Sequence, residues 1–463
     1  MEQQMLTRRQ LIALTGGLGC ATALAACAPQ EKIVQVEKEA TRVVKETVVA
    51  TPAPQSVEIS LLMVDWNDVS RKAIEEVIVP RFEETHPGTT VAIDFTAPDW
   101  SELDTKVLTA AAGGLTPDVI QADLIEFGSK YYLKGLIAEL NPWLDATPGS
   151  RDKLADYYEK GIYEGCSWEG KLLALPYLMD NRALFFRKDF LQEAGFDPAK
   201  GFADWQEFRA AAKAMTVRDG DIYQRMGWYN PAGQFCFQTY VQFLWQNDGA
   251  LVNKAGDAPA FNTPEGVGAL EFWTQLIRED KVAPVEGMEK QGDMDLMAAG
   301  MLASKFAGPG LLFNVQNYAP DKWDLLGVTI LGNKKKAGLW YVNCYLLSSG
   351  PRQKPAWDLL SYLVFDDEAF QAYLEAQATL PPRRSMVKAC KHITPLHIVL
   401  IEDLMSAENS HTSPLLRFAV MEIYERIDEA CQKAVYGTAT PAEALAQAEQ
   451  ECIQIFDRHL KGQ

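Results

Sequence analysis

Apolar and polar positions change period several times along the chain, and each change marks an element. Val57–Val64 carries Ile59, Leu61 and Leu62 with no proline, which predicts a strand. Residues 71–85 show an apolar stripe at helical spacing and stop at His86-Pro87-Gly88, a breaker sequence. Residues 90–95 predict a second strand, with β-branched Thr90, Val91 and Ile93. A helix follows over 103–112, closed by Gly113-Gly114. Residues 117–123 predict a buried strand ending in a carboxylate, and 126–134 a helix ending at Gly135. This alternation predicts an α/β fold with a mostly parallel sheet and helices on its faces. Ligands of such sheets sit beyond the carboxyl ends of the strands. Asp65, Trp66 and Asn67, and likewise Asp123, stand just past predicted strand ends and are site candidates.

The pattern before residue 57 is different. Arg8-Arg9 precede an apolar run over 11–26 that ends Leu24-Ala25-Ala26-Cys27. A positive start, an apolar run and small residues before a cut site make an export signal. The run is shorter than the roughly 20 residues that span a bilayer, and it contains Gly16, Gly17 and Gly19. Leu-Ala-Ala-Cys resembles a bacterial lipobox, so residues 1–26 read as a lipoprotein signal peptide and Cys27 as the lipid-attachment residue. Thr7-Arg8-Arg9-Gln10-Leu11 also resembles a twin-arginine export motif, without the usual Phe and following Lys. Residues 27–56 interleave Glu, Lys and Arg with valine, have no aromatic residue and end Thr51-Pro52-Ala53-Pro54. Such a segment cannot bury enough surface for a core and acts as a tether on the order of 30 Å long. The expected location is the extracytoplasmic face of a bacterial membrane, reached through a lipid anchor.

Composition narrows the partner. A formal net charge of -18 over 463 residues argues against a nucleic-acid surface or an anionic membrane surface as the partner. Six of the eight cysteines fall in the body: Cys166, Cys236, Cys344, Cys390, Cys431 and Cys452, with no Cys-x-x-Cys, and their pairing stays open. There is no Gly-x-Ser-x-Gly elbow, His-Glu-x-x-His, P-loop or Gly-x-Gly-x-x-Gly after a strand. Asp366-Asp367 are adjacent at a predicted helix start and do not face one bond as glycosidase carboxylates must. His392 and His397 are too few for a metal site by themselves. No enzyme, metal or cofactor is expected.

Several strings, in order, resemble one family. They are Phe82-Glu83-Glu84-Thr85-His86-Pro87-Gly88 with Val91, Leu115-Thr116-Pro117-Asp118-Val119, and Gly135-Leu136-Ile137-Ala138-Glu139-Leu140. Trp168-Glu169-Gly170-Lys171 with Ala174-Leu175-Pro176-Tyr177, and Ala183-Leu184-Phe185-Phe186-Arg187-Lys188-Asp189, follow. Later come Phe261-Asn262-Thr263-Pro264-Glu265-Gly266, Phe306-Ala307-Gly308-Pro309-Gly310 and Thr379-Leu380-Pro381-Pro382-Arg383-Arg384. Together they resemble the sugar-binding solute receptors of ABC importers, the maltose-binding-protein type.

That resemblance implies a two-lobe periplasmic-binding-protein fold with discontinuous lobes, a hinge and an interlobe cleft. The first lobe would hold 57–178 plus 340–376, and the second 181–336 plus 384–463. The chain would cross between lobes near 179–182, 337–339 and 378–383. Such a receptor captures a small molecule, here a sugar, by hinge closure and delivers it, as a monomer, to the transmembrane subunits of an ABC permease. Sugar hydroxyls pair with charged and amide side chains, and the C–H faces of the ring lie against aromatic rings. Candidate ligand residues are Asp65, Trp66, Asp123, Asp180, Arg182, Trp228, Tyr229, Trp340, Tyr341 and Arg383. Trp228, Tyr229 and Asn230 would form an aromatic platform on a flexible loop, and Arg383 would be aimed at the cleft by a Pro-Pro turn. Each has a structural alternative: helix caps for Asp65 and Asp123, mutual pairing for Asp180 and Arg182, core for Trp228 and Trp340. Trp205, Trp245, Trp273 and Trp357 lie in helical stripes and read as core. Two departures stand out: Gly308-Pro309 runs into Gly310 and Leu311 where many relatives stack a tryptophan, and Arg187 replaces the usual Asn. They leave open a small ligand, another stacking ring, or a polyol phosphate or other small anionic metabolite; a secreted carbohydrate-active enzyme is the further rival.

Overall fold

The computed structural model describes residues 56–123, 126–157, 166–232, 235–287, 293–406 and 416–461. The signal peptide, Cys27 and the tether lie outside the described residues. Strand β1 (Val57–Val64) leads into a helical run from Asp68 to Thr85. That run starts at Asp68 because Asn67 caps it, its Oδ1 accepting from Ser70 N at 2.9 Å. Its middle, Ala73–Ile78, is π-helical and lies just ahead of Pro80. Proline has no N–H and crowds the turn before it, and a widened turn relieves both conflicts. Strand β2 (Thr89–Ala97) follows, then the helix Trp100–Ala112, capped by Asp99 through Glu102 N at 2.9 Å, and strand β3 (Val119–Asp123).

Strands β4 (Ser167–Trp168) and β5 (Lys171–Leu172) form a small hairpin ahead of the long strand β6 (Leu175–Arg187). Strands β7 (Val217–Asp219) and β8 (Ile222–Arg225) form another. Strands β9 (Ser304–Ala307), β10 (Leu326–Thr329) and β11 (Leu339–Leu347) complete the set among the described residues. The main sheet has seven strands in the order β10-β6-β11-β3-β1-β2, with β9 also on β6. Only β2-β1-β3 is parallel; β11 runs antiparallel to β3 and β6, and β9 and β10 run antiparallel to β6. The expectation of a mostly parallel sheet is therefore corrected to a mixed one. Parallel pairs need a crossover helix, and the β-α-β-α-β run supplies it. The antiparallel strands arrive from segments far apart in sequence, where local period carries no direction.

Strand β6 is the element that organises the rest. Its first part pairs with β11, ending at Arg182 opposite Leu339. From Ala183, opposite Ala307, to Arg187, opposite Leu326, it pairs with β9 and β10 instead. With 13 residues it extends roughly 40 Å, long enough to serve two sheet halves. Helix Gln353–Phe365 packs over the β1-β3-β11 half, and Asp367–Gln377 packs on that helix and on the helical run that follows β1. Leu416–Tyr436 packs with Pro441–Lys461 on Phe235–Gln246 and Pro264–Thr274, and it also meets Glu126–Leu133. Buried hydrophobic residues run from Ile59 to Phe456, all inside the compact unit Pro54–Gln463. Trp205, Trp245, Trp273 and Trp357 are core, as their helical stripes predict. The six body cysteines are buried free thiols.

Candidate functional site

The carboxyl end of β1 is built from below. Gln121 on β3 is buried, and its Oε1 accepts from Val64 N at 2.7 Å, holding the last residue of β1 in place. Its Nε2 donates to the Tyr177 and Tyr373 hydroxyls at 2.6 and 3.2 Å, and Tyr345 stacks on Tyr177 at 4.4 Å. This amide-and-phenol network is invisible in the sequence, because its members come from strands and a helix far apart in the chain.

Above it, Asp65 N bonds to Ala97 O at 2.9 Å, and Asp65 Oδ2 accepts from Arg71 Nη1 at 2.9 Å. Asn67, not Asp65, is the helix cap, so the Asp65 carboxylate stands half-exposed, oriented by one guanidinium. Trp66 is 36 % exposed, an unusual state for so large a ring. Trp100, at the start of its helix, supports it edge-on with centroids 5.3 Å apart at 70°. Trp100 adds to the candidates read from the sequence, where Asp99-Trp100 as a helix start beyond the end of β2 is the signal that marks it. Asp123 ends β3 with its backbone opposite Asn343.

A second group gathers where β6 changes partners. Asp180 stands opposite Tyr341, Asn181 opposite Trp340 and Arg182 opposite Leu339. Only the backbones of Asp123, Trp340 and Tyr341 belong to the described residues; their side chains lie outside them. The Asp180 carboxylate lies against Gly308 so closely that a Cβ there has no room. Gly308 is the N-cap of the helix Pro309–Tyr318, an end that favours negative charge. No atom lies within 4 Å of where a Cβ on Gly310 would sit, so this position is open space. Asp180 and Arg182 are both half-buried.

Three candidates are placed elsewhere than expected. Trp228 is 1 % exposed, ringed by Phe208, Phe243, Trp273 and Phe306 at centroid distances of 5.7 to 6.4 Å. Tyr229 is 8 % exposed, with the Lys305 ammonium 5.1 Å over its ring. Their loop is not a flexible support: Tyr229 N bonds to Ser304 O at 2.9 Å, and Asn230 joins Pro284 O to the Trp273 indole, each at 2.9 Å. The pair is core because the loop runs along β9 and is held to it by backbone hydrogen bonds. Arg383 is 0 % exposed and points inward, its guanidinium 4.6 Å over the Phe370 ring and 2.9 Å from Asp367. Pro381-Pro382 lead into the helix Arg384–Ala389 and turn Arg383 under the helix Asp367–Gln377. The other departure, Arg187, is also internal: it pairs with both Asp189 oxygens at 2.9 and 2.7 Å and donates to Met297 O at 2.6 Å.

His392 and His397 form a buried edge-on pair, centroids 5.5 Å apart. Thr394 N donates to His397 Nδ1 at 3.2 Å, so that nitrogen carries no proton. Burial first, and then His392, lower the His397 pKa to about 4 from an ordinary 6.5. A histidine depressed in the folded state contributes stability above pH 6.5 and loses it as pH falls through 4. The loss totals about 3 kcal/mol. His397→Asn keeps an acceptor for Thr394 and cannot titrate. Urea unfolding at a series of pH values is expected to show a shallower acid limb in that variant, by about that amount.

Against this geometry, the profile of the bacterial extracellular solute-binding protein family matches residues 67–369. The lactose-binding protein of Rhizobium radiobacter is 25% identical over 321 residues, covering 66% of this chain and 70% of that protein. An ABC-transporter solute-binding protein of Thermotoga lettingae, solved with α-D-tagatose, aligns with TM-score 0.72 at 23% identity over 87% of this chain and all (100%) of that one. UgpB of Mycobacterium tuberculosis, solved with glycerophosphocholine, aligns with TM-score 0.73 at 17% identity, covering 88% and 100%. With an α/β body joined through one shared strand and a family profile spanning most of it, this chain belongs to the bacterial extracellular solute-binding protein family.

Proposed function

We propose that the protein is the substrate-binding receptor of an ABC importer and captures a carbohydrate between two lobes. The first lobe comprises 57–178 and 340–376, the second 181–336 and 384–463, joined at 179–182, 337–339 and 378–383. Cys27 carries a lipid that holds the receptor on the outer face of the cell membrane, and the monomer hands its ligand to the permease without chemical change. The observation that carries the reading is the exposed Trp66 ring beside the half-exposed Asp65 carboxylate at the carboxyl end of β1, propped by Trp100. An apolar ring face next to an oriented acceptor matches the alternation of C–H faces and hydroxyls on a sugar. Asp65, Trp66, Trp100 and Asp123 belong to the first-lobe wall; Asp180, Arg182, Trp340 and Tyr341 belong to the crossing. Closure follows because the closed state makes contacts from both walls, and the ligand shifts the population by that difference in affinity alone.

A polyol phosphate is the second reading, favoured by the alignment with the glycerophosphocholine-bound UgpB. The lysine run offers it little: Lys334 and Lys335 are paired with Glu265 and Asp248 at 3.2 Å each. Thermal unfolding of the protein from residue 28 onward separates the two, with lactose, maltose, tagatose and mannotriose against glycerophosphocholine. A ligand at a hundredfold excess over Kd stabilises the native state by about 2.7 kcal/mol. An upward shift with one or more of the sugars is expected. A shift with glycerophosphocholine alone would replace the sugar reading by the phosphate one.

A further inference from the structure

We infer that Asp403, acting through Asn181, is a positioning residue for the ligand cleft: one carboxylate staples two of the chain crossings and sets the axis of lobe closure. The inference rests on the receptor reading above. Asn181 sits in β6 one residue before the last β11 pairing, and two before the first β9 pairing at Ala183. It is 0 % exposed, and its amide is held through the nitrogen end, the buried Oδ1 having no hydrogen-bond partner among the described residues. Its Nδ2 donates to Leu400 O and to Asp403 Oδ2, each at 2.9 Å. The same Asp403 oxygen accepts from Gly338 N at 3.2 Å, one residue before β11 begins. Both acceptors belong to the helix Pro395–Ser406, so two separate strands of the crossing are tied to one rigid element.

Any side chain at 338 would push the staple aside, because a Cβ there would lie 2.6 Å from Asp403 Oδ2 and 2.5 Å from Asn181 Oδ1. The third crossing is bound to the same place: Met179 N donates to Leu380 O at 2.9 Å, and Thr379 Oγ1 donates to Met179 O at 3.0 Å. Ala378, at the entry to that crossing, adopts a left-handed φ of 46°, a conformation held by its surroundings. Burial raises the Asp403 carboxyl above its usual range, while its two donors pull it back, as expected of a carboxylate kept for its hydrogen bonds. Side chains alternate along a strand, so Asp180 and Arg182 stand on the face opposite Asn181. Fixing Asn181 to the helix therefore fixes which way both candidate ligand residues are presented.

The test uses the protein from residue 28 onward, which keeps every buried core residue. Spin labels are attached at Thr109→Cys and Gln316→Cys, exposed sites on helices Trp100–Ala112 and Pro309–Tyr318, and the six native thiols are buried. Interlobe distances come from pulsed dipolar spectroscopy without ligand, and affinities from titration with lactose, maltose and tagatose. Asp403→Asn keeps an oxygen acceptor and is expected to retain the native distance distribution and an affinity within twofold. Asp403→Ala is expected to broaden the unliganded distribution and weaken binding at least tenfold. A folded Asp403→Ala protein with native distribution and native affinity overturns the inference. Should Asp403→Ala fail to fold, Gly338→Ala displaces the staple from its other side and is judged by the same readouts. Should no sugar bind the unmutated protein, the sugar reading fails separately and the distance distributions alone decide the staple.

Discussion

Trp228→Ala is expected to lower the unfolding free energy by about 3–5 kcal/mol, the range for removing a large aromatic from a packed core. The ring is 1 % exposed, and four aromatic neighbours close around it. Those neighbours come from the helices Trp205–Met215, Phe235–Gln246 and Pro264–Thr274 and from β9, so the cavity left behind has no single side chain able to fill it. Trp228→Phe should recover part of the loss. Chemical unfolding monitored by circular dichroism measures the difference. A loss below about 1 kcal/mol would mean that the ring is not the core element its burial describes.

Trp66→Ala should act mainly on binding. The residue is 36 % exposed and its ring meets Trp100 edge-on, so its removal should cost about 0.5–1.5 kcal/mol, well below the Trp228 loss. Sugar affinity should fall at least tenfold, about 1.4 kcal/mol, because the stacking face goes with the ring. Trp66→Phe should restore most of it. Calorimetric titration with the sugar that gives the largest thermal shift is the measurement. An unchanged Kd in a folded Trp66→Ala protein would remove the carboxyl end of β1 from the binding site. Taken together, the two substitutions separate core from cleft: one aromatic acts mainly on folding, the other mainly on binding.

Several elements could be read from local pattern because their causes are local. Val57–Val64 is a strand as its apolar spacing predicts, and the helices after it end at the Pro-Gly and Gly-Gly breakers. The four tryptophans in helical stripes are buried for the same reason: period and amphipathicity belong to neighbouring residues. Helix starts were less legible, since the caps Asn67 and Asp99 lie ahead of the apolar stripe they serve. The aromatic candidates divided on facts that no local pattern holds. Trp66 and Trp228 each stand in a polar, turn-like setting in the sequence, yet one is exposed and the other enclosed. Arg383 follows a Pro-Pro turn that fixes its backbone direction but not what lies in that direction, and Phe370 and Asp367 occupy it.

The sequence by itself determined the class of fold, the family likeness and the candidate residues near the crossings, because short-range periodicity and ordered strings are properties of the chain. Only the tertiary structure decided the antiparallel half of the sheet, the double pairing of β6, the Gln121 network and the Asp403 staple. Each of these joins residues dozens to hundreds of positions apart. Burial, hydrogen-bond satisfaction and the side of a strand that faces a ligand are properties of that assembly, and they come into existence only when the distant segments meet.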